Sequence, residues 1–259
     1  MSGLEVMALA AAGAAAGMIN AVAGGGTLIT FPALLVFGTP AIVANATSTL
    51  ALVFGTAGGL YGFRRQIAQV VPWLKRFVPV SLAGGLLGGV LLTRTREETF
   101  AKMVPFLLLF ATVVFTTQGV FRRFAGVGDG SEAPVRPKHH TIWAAILFQF
   151  LVSLYGGYFG AGIGILMLAA LGFLGLTDIH QMNALKTTLG SLINQVAAIY
   201  FILAGLIDWP KAAVMTVGAL AGYFVGAHYS QRIPQRRVRQ IITGIGFAIS
   251  AAMFYRQFR

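Results

Sequence analysis

Long apolar blocks separated by short polar breaks dominate the chain, and their lengths predict its elements. The first block covers about residues 4–22 and ends in Ala23-Gly24-Gly25-Gly26. A short block, about residues 27–37, follows; at 1.5 Å per residue it is about 16 Å long, roughly half a bilayer. Thr39-Pro40 reads as an N-cap and helix-starting proline for a third block, about residues 41–63, which Arg64-Arg65 closes. Pro72-Trp73 opens the fourth, which carries Gly84, Gly85, Gly88 and Gly89 as a small-residue packing surface and ends near Thr93. Thr95 to Glu98 resembles a capping box at the start of the fifth, about residues 97–120. Five more blocks follow, about residues 141–159, 163–173, 179–203, 210–229 and 234–255.

The two sets align at one shift of 138 positions. It pairs Gly26 with Gly164, Asn45 with Asn183, Pro72 with Pro210, Gly84 with Gly222, Gly88 with Gly226 and Arg94 with Arg232. Six matches at one offset predict an internal duplication. Residues 1–121 form the first repeat, 122–140 a polar linker and 141–259 the second. Five segments per repeat is an odd number, so the repeats are expected to lie inverted. That parity holds whether the short segments cross or return as hairpins.

Composition narrows the class. Of 259 residues 57% are hydrophobic and 10% charged, and mean hydropathy is +0.79. A soluble domain carries about 25% charged residues. The expectation is an all-α, polytopic protein with the lipid bilayer as its partner. The net charge of +12 comes from Lys and Arg grouped between apolar blocks, where topology signals belong, so no nucleic-acid partner is expected. With residues 64–76 cytoplasmic, the linker and residues 232–239 are cytoplasmic too, and residues 205–209 face out. Arg94, Arg96, Lys102, Arg256 and Arg259 are the exceptions. No Lys or Arg precedes the first block, which runs into the glycines, so it reads as part of the fold and not as a cleaved signal. Cysteine is absent, which excludes disulfides and thiolate metal sites.

Glycine clusters in apolar sequence let the backbone leave helical geometry, which membranes tolerate where it is buried in protein or lines a cavity. Gly24, Gly25 and Gly26, with Asn20 and Thr27 beside them, and Gly160, Gly162 and Gly164 are therefore the first candidate site residues. Each cluster opens a short helix whose first amides lack intrahelical partners and favour an anion. Asn45, Thr49 and Thr56 lie on one helical face, and Asn183, Thr187 and Asn194 repeat it 138 positions on. Such stripes face the protein interior, as ligand donors or as bonds between helices. Lys186, opposite Ser48 in the alignment, is the one basic residue well inside a block. It serves either as counter-charge or as a residue snorkelling to the interface. The acidic residues fall at block ends or in loops, Asp178 and Asp208 as helix caps, and the histidines lie near the interfaces. No catalytic set, metal-ligand spacing or nucleotide loop is present, so neither an enzyme nor a cofactor is expected.

Residues 17–26, Gly-Met-Ile-Asn-Ala-Val-Ala-Gly-Gly-Gly, with Pro32 and then Ala44-Asn45-Ala46-Thr47-Ser48, resemble the N-terminal motif of the TauE/SafE sulfite exporter family. Residues 157–164 and Asn183-Ala-Leu-Lys186-Thr187-Thr188 resemble its repeat, and the resemblance spans nearly the whole chain. It implies a multi-pass transporter of the bacterial plasma (inner) membrane for small anions such as sulfite, organosulfonates or organic acids. The implied site includes Gly24, Gly25, Gly26, Asn45, Thr49, Gly160, Gly162, Gly164, Asn183, Lys186 and Thr187. Transport by alternating access between the repeats is the expectation. The alternatives are an anion channel using the same donors and a structural membrane subunit without transport. The anion, the direction, the coupling ion and the oligomeric state are left open.

Overall fold

The computed structural model describes residues 1–22, 25–62, 64–117, 139–173, 179–229 and 235–258. All regular structure there is α-helical. The elements are α1 (Gly3–Val22), α2 (Thr27–Val36), α3 (Ala41–Gly62), α4 (Arg64–Gln69), α5 (Val71–Arg94), α6 (Glu97–Thr116), α7 (His139–Tyr158), α8 (Ile163–Phe173), α9 (Ile179–Leu203), α10 (Trp209–Tyr229) and α11 (Gln235–Phe258). The third block ends ahead of Arg64-Arg65 as expected, and Arg64 then opens α4, a helix of six residues that the pattern did not predict. The starts of α3, α5 and α6 recur in α9, α10 and α11 at the 138-residue shift. Among the described residues α1, α5 and α6 are long and apolar enough to cross a membrane. The outer surface carries apolar side chains, with Phe224 77% and Val217 70% exposed, as contact with lipid rather than water allows.

The short helix α2 returns rather than crosses. The Gly26 amide donates to Asn20 Oδ1 at 2.8 Å, which fastens the turn between α1 and α2. At the far ends of the same pair, Lys211 Nζ lies 3.2 Å from Glu5 at the start of α1 and 3.2 Å from the Phe37 carbonyl just after α2. Both ends of the α1–α2 hairpin therefore sit at one end of the molecule. Lys211 also donates to Thr39 Oγ1 at 2.9 Å and pairs with Asp208 at 3.7 Å. Asp208 caps α10 as expected, accepting from the Lys211 amide at 3.3 Å.

Two caps differ from expectation. Thr39 Oγ1 accepts from Lys211 Nζ, and the amides at the start of α3 are capped by Glu97 instead, which accepts from Ala41 and, at 3.1 Å, Ile42. A carboxylate there suits the positive end of the α3 dipole. The capping box at residues 95–98 does not form either. Thr95 Oγ1 turns back to the Leu91 carbonyl at 2.8 Å, and Arg96 takes the N-cap position of α6 without a side-chain bond.

The closest helix pairs join the two sequence halves. Helix α1 lies parallel to α10: a methyl carbon at Gly17 would stand 2.0 Å from the Ala219 carbonyl oxygen, and one at Gly222 would stand 1.9 Å from that of Ala14. Helix α5 lies parallel to α7 in the same way, with Gly88 against Leu154 at 2.1 Å and Gly157 against Gly85 at 2.0 Å. Only glycine permits that approach. Ser81, Gln149 and Ser153 add a buried bridge at the α5–α7 seam, where Gln149 Nε2 donates to both hydroxyls at 2.9 and 3.2 Å. Helices α3 and α9 pack on each other between the two pairs, and α6 packs on α11.

Gly222→Val should therefore force α1 from α10 and lower the thermal unfolding midpoint in detergent by the equivalent of about 1–3 kcal/mol or more. Gly244→Ala, on an open face of α11 with nothing near a new methyl group, should hold or raise it. Removing the cation with Lys211→Met should lower the midpoint by leaving Glu5 and Asp208 unpaired, and adding Glu5→Gln should recover part of the loss.

Candidate functional site

The first glycine turn is largely self-satisfied. Gly25 has φ +95°, a left-handed conformation that side chains oppose, and a methyl group there would strike the Phe115 ring at 2.9 Å. Asn20 holds the Gly26 amide, while those of Leu28 and Ile29 close on the carbonyls of Gly25 and Gly26 at 3.0 and 2.9 Å. Thr27, half-buried, begins α2; Gly24 lies outside the described residues. One turn on, the buried Thr30 and Ser48 hydroxyls meet at 2.6 Å and tie α2 to α3.

The second turn is built differently. Gly160 and Gly162 both have φ +81°, and Phe159 anchors the turn by packing edge-on to Phe31 of α2 at 5.4 Å between ring centres. Tyr155 OH fixes it from inside through the Ala161 carbonyl at 2.9 Å. Ile165 closes on the Gly162 carbonyl at 3.0 Å, yet among the described residues nothing accepts from the Gly164 amide. The 138-residue shift shows which residue differs. Gly164 corresponds to Gly26, but the position of Asn20 is taken by Tyr158, whose hydroxyl lies near Thr95 and Met103 instead. The glycine amide capped at the first turn is thus, among the described residues, left uncapped at the second.

Other predicted residues converge on this second turn. The Lys186 stem crosses Gly164, its Cδ 3.2 Å from where a methyl group at Gly164 would be. Asn194 Oδ1 is 3.8 Å from the corresponding point at Gly160. Asn45, fully buried on α3, donates from Nδ2 to the Tyr158 carbonyl at 3.0 Å, which joins the first half to the second half's turn. Asn183 and Thr187 are half-buried on α9, on the face that carries Lys186 and Asn194. The Thr49 and Thr56 hydroxyls bond back to carbonyls of their own helix, Asn45 and Val53, at 2.8 and 2.9 Å. Both turns rest on α6: Gly25 faces Phe115, and Gly162 faces Ala111 and Val114. Asp178 lies outside the described residues, as does the side chain of His180, while His228 is exposed near the end of α10.

Sequence reasoning missed Tyr158 and Tyr155. Tyr158 was legible as the partner of Asn20 in the repeat, since replacing an amide by a phenol removes the cap. Tyr155 carries no such signal.

Among the described residues, the geometry combines three apolar helices long enough to cross a membrane with two glycine turns linked through Phe31, Phe159 and Asn45. The profile described as Sulfite exporter TauE/SafE matches residues 9–253. Similar chains include the "Probable membrane transporter protein" of Haemophilus influenzae, 30% identical over 98% of this chain and 97% of that one. The "Probable membrane transporter protein ORF9" of Sinorhizobium sp is 28% identical over 91% of this chain and 87% of its own length. The Escherichia coli K12 "Probable membrane transporter protein YfcA" is 26% identical over 93% and 86% respectively. No solved structure matches the chain. With nearly its whole length covered by the family profile, the chain belongs to the TauE/SafE sulfite exporter family of membrane transporters.

Proposed function

We propose that the protein is a secondary carrier of small anions, such as sulfite, organosulfonates or organic acids, in the inner membrane. The observation that carries this reading is the second glycine turn: a Gly164 amide at the start of α8 without an acceptor among the described residues, with the stem of a lysine across it. Helix dipole, open amide and ammonium group all favour negative charge. The repeats are inverted in this reading, with the Arg64 end in the cytoplasm. Backbone-close pairing of α1 with α10 and α5 with α7 supports moving units assembled across the sequence halves. One unit contains α1, α2, α3 and α10; the other contains α5, α7, α8 and α9. Rocking of one against the other about the α3–α9 contact exposes the turn to each side alternately. No step of this function involves catalysis.

Counterflow in proteoliposomes loaded in turn with sulfite, a short sulfonate and a small dicarboxylate tests it. Saturable exchange of at least one anion is expected, weakened about tenfold or more in Lys186→Ala. Exchange that survives the substitution places the anion on the turn amides alone. Flux that never saturates indicates a channel, and folded protein that exchanges none of the three overturns the reading.

A further inference from the structure

Asn45 holds an unmet need. It is 0% exposed, and among the described residues its Oδ1 has no hydrogen-bond partner. The orientation of the amide is fixed by chemistry: Nδ2 donates to the Tyr158 carbonyl at 3.0 Å, and a flipped amide would set two acceptors face to face. Oδ1 is therefore an acceptor waiting for a donor. An orphaned buried acceptor loses its hydration without compensation, and nearly all such atoms find a partner. Hydroxyls on α2, α3 and α7 are engaged elsewhere. Thr49 Oγ1 bonds the Asn45 backbone carbonyl at 2.8 Å, Ser48 and Thr30 are engaged with each other, and Tyr155 OH is held by Ala161.

The placement suggests what the donor is. Tyr158 is the last residue of α7, so Asn45 sits against the carbonyl that enters the Phe159–Gly162 turn, the turn that leaves the Gly164 amide open. Donors for an anion and one buried acceptor thus flank a single loop. A ligand with acceptor oxygens alone satisfies the amide and the lysine but sets a lone pair against Oδ1. A ligand that also has an O–H or N–H satisfies both.

Resting on the anion-carrier reading above, we propose that Asn45 is a specificity-determining residue and that the transported substrate is a monoanion that keeps a hydrogen-bond donor. Hydroxy-sulfonates, hydroxy acids and hydrogensulfite meet that description. Alkyl sulfonates, simple carboxylates and fully deprotonated dianions do not. A site that bonds a substrate hydroxyl discriminates strongly against the analogue lacking it, because its own buried group is left unpaired.

The test is competition in proteoliposome counterflow between near-isosteres: 2-hydroxyethanesulfonate against propane-1-sulfonate, and hydroxyacetate against propionate. In the wild-type protein the hydroxyl-bearing member of each pair should compete at least about tenfold more tightly, and sulfite exchange should fall as rising pH removes the last proton. Asn45→Ala, with its folding checked by thermal unfolding, should bring the ratios towards one. Equal competition in the wild type overturns the proposal while leaving the carrier reading intact, and this comparison needs no variant to fold. Preference that persists in folded Asn45→Ala also overturns it, as does sulfite exchange that rises with pH. If sulfite and all four probes fail to exchange in folded protein, the carrier reading fails and the proposal with it.

Discussion

Contact between backbones without intervening side chains is the constraint on which the structure depends. In lipid no hydrophobic force draws one apolar helix to another, so association rests on close packing and on polar bonds between helices. Gly17 and Gly222 on the α1–α10 seam, and Gly88 and Gly157 on the α5–α7 seam, supply the packing. Because each seam joins a helix of one sequence half to a helix of the other, neither half forms a separate body. The short helices α2 and α8 are then held inside, where their broken backbones are buried in protein rather than exposed to lipid.

The two seams are secured differently at their ends. Glu5 and Lys211 form an ion pair at the α1–α10 seam, and the repeat places Trp143 and Trp73 at the matching positions of α7 and α5. Trp73 stacks on Phe77 and lies under the Arg76 guanidinium at 5.6 Å. Indole rings suit the headgroup region, being apolar in body and polar at the edge. An ion pair only 13–14% exposed must instead be satisfied within the protein, and here Thr39, Asp208 and the Phe37 carbonyl complete it. The two seams, matched at the 138-residue shift, thus carry an ion pair in one case and tryptophans in the other.

Most of the fold was legible because membranes make sequence literal. Block lengths returned α8 and α9 with the expected bounds, and the 138-residue shift returned the starts of three helix pairs. What was illegible depends on residues far apart in the chain. No local window shows that Glu97 caps a helix beginning at Ala41, so the cap was assigned to Thr39, whose hydroxyl a lysine at 211 claims. The short helix α4 was hidden because Arg64-Arg65 gives the same signal at a helix start as at a loop. In the candidate site, the residue types and their stripes were visible, but not which turn had spent its amides. That depends on whether a side chain six positions upstream reaches back, as Asn20 does.

The 138-residue shift sets side by side two glycine turns that are capped differently. A fully symmetric pair of turns would present two equivalent anion-binding ends to one small ligand. Filling one end with an internal amide cap removes a donor that an anion would need there. Asn20 fills the first, and Tyr158 leaves the second open while its carbonyl takes the Asn45 amide. Lys186 follows the same division, since its counterpart Ser48 is engaged with Thr30. Two small differences, amide to phenol and hydroxyl to amine, thus distinguish the turn packed against itself from the turn on which the anion-carrier proposal rests.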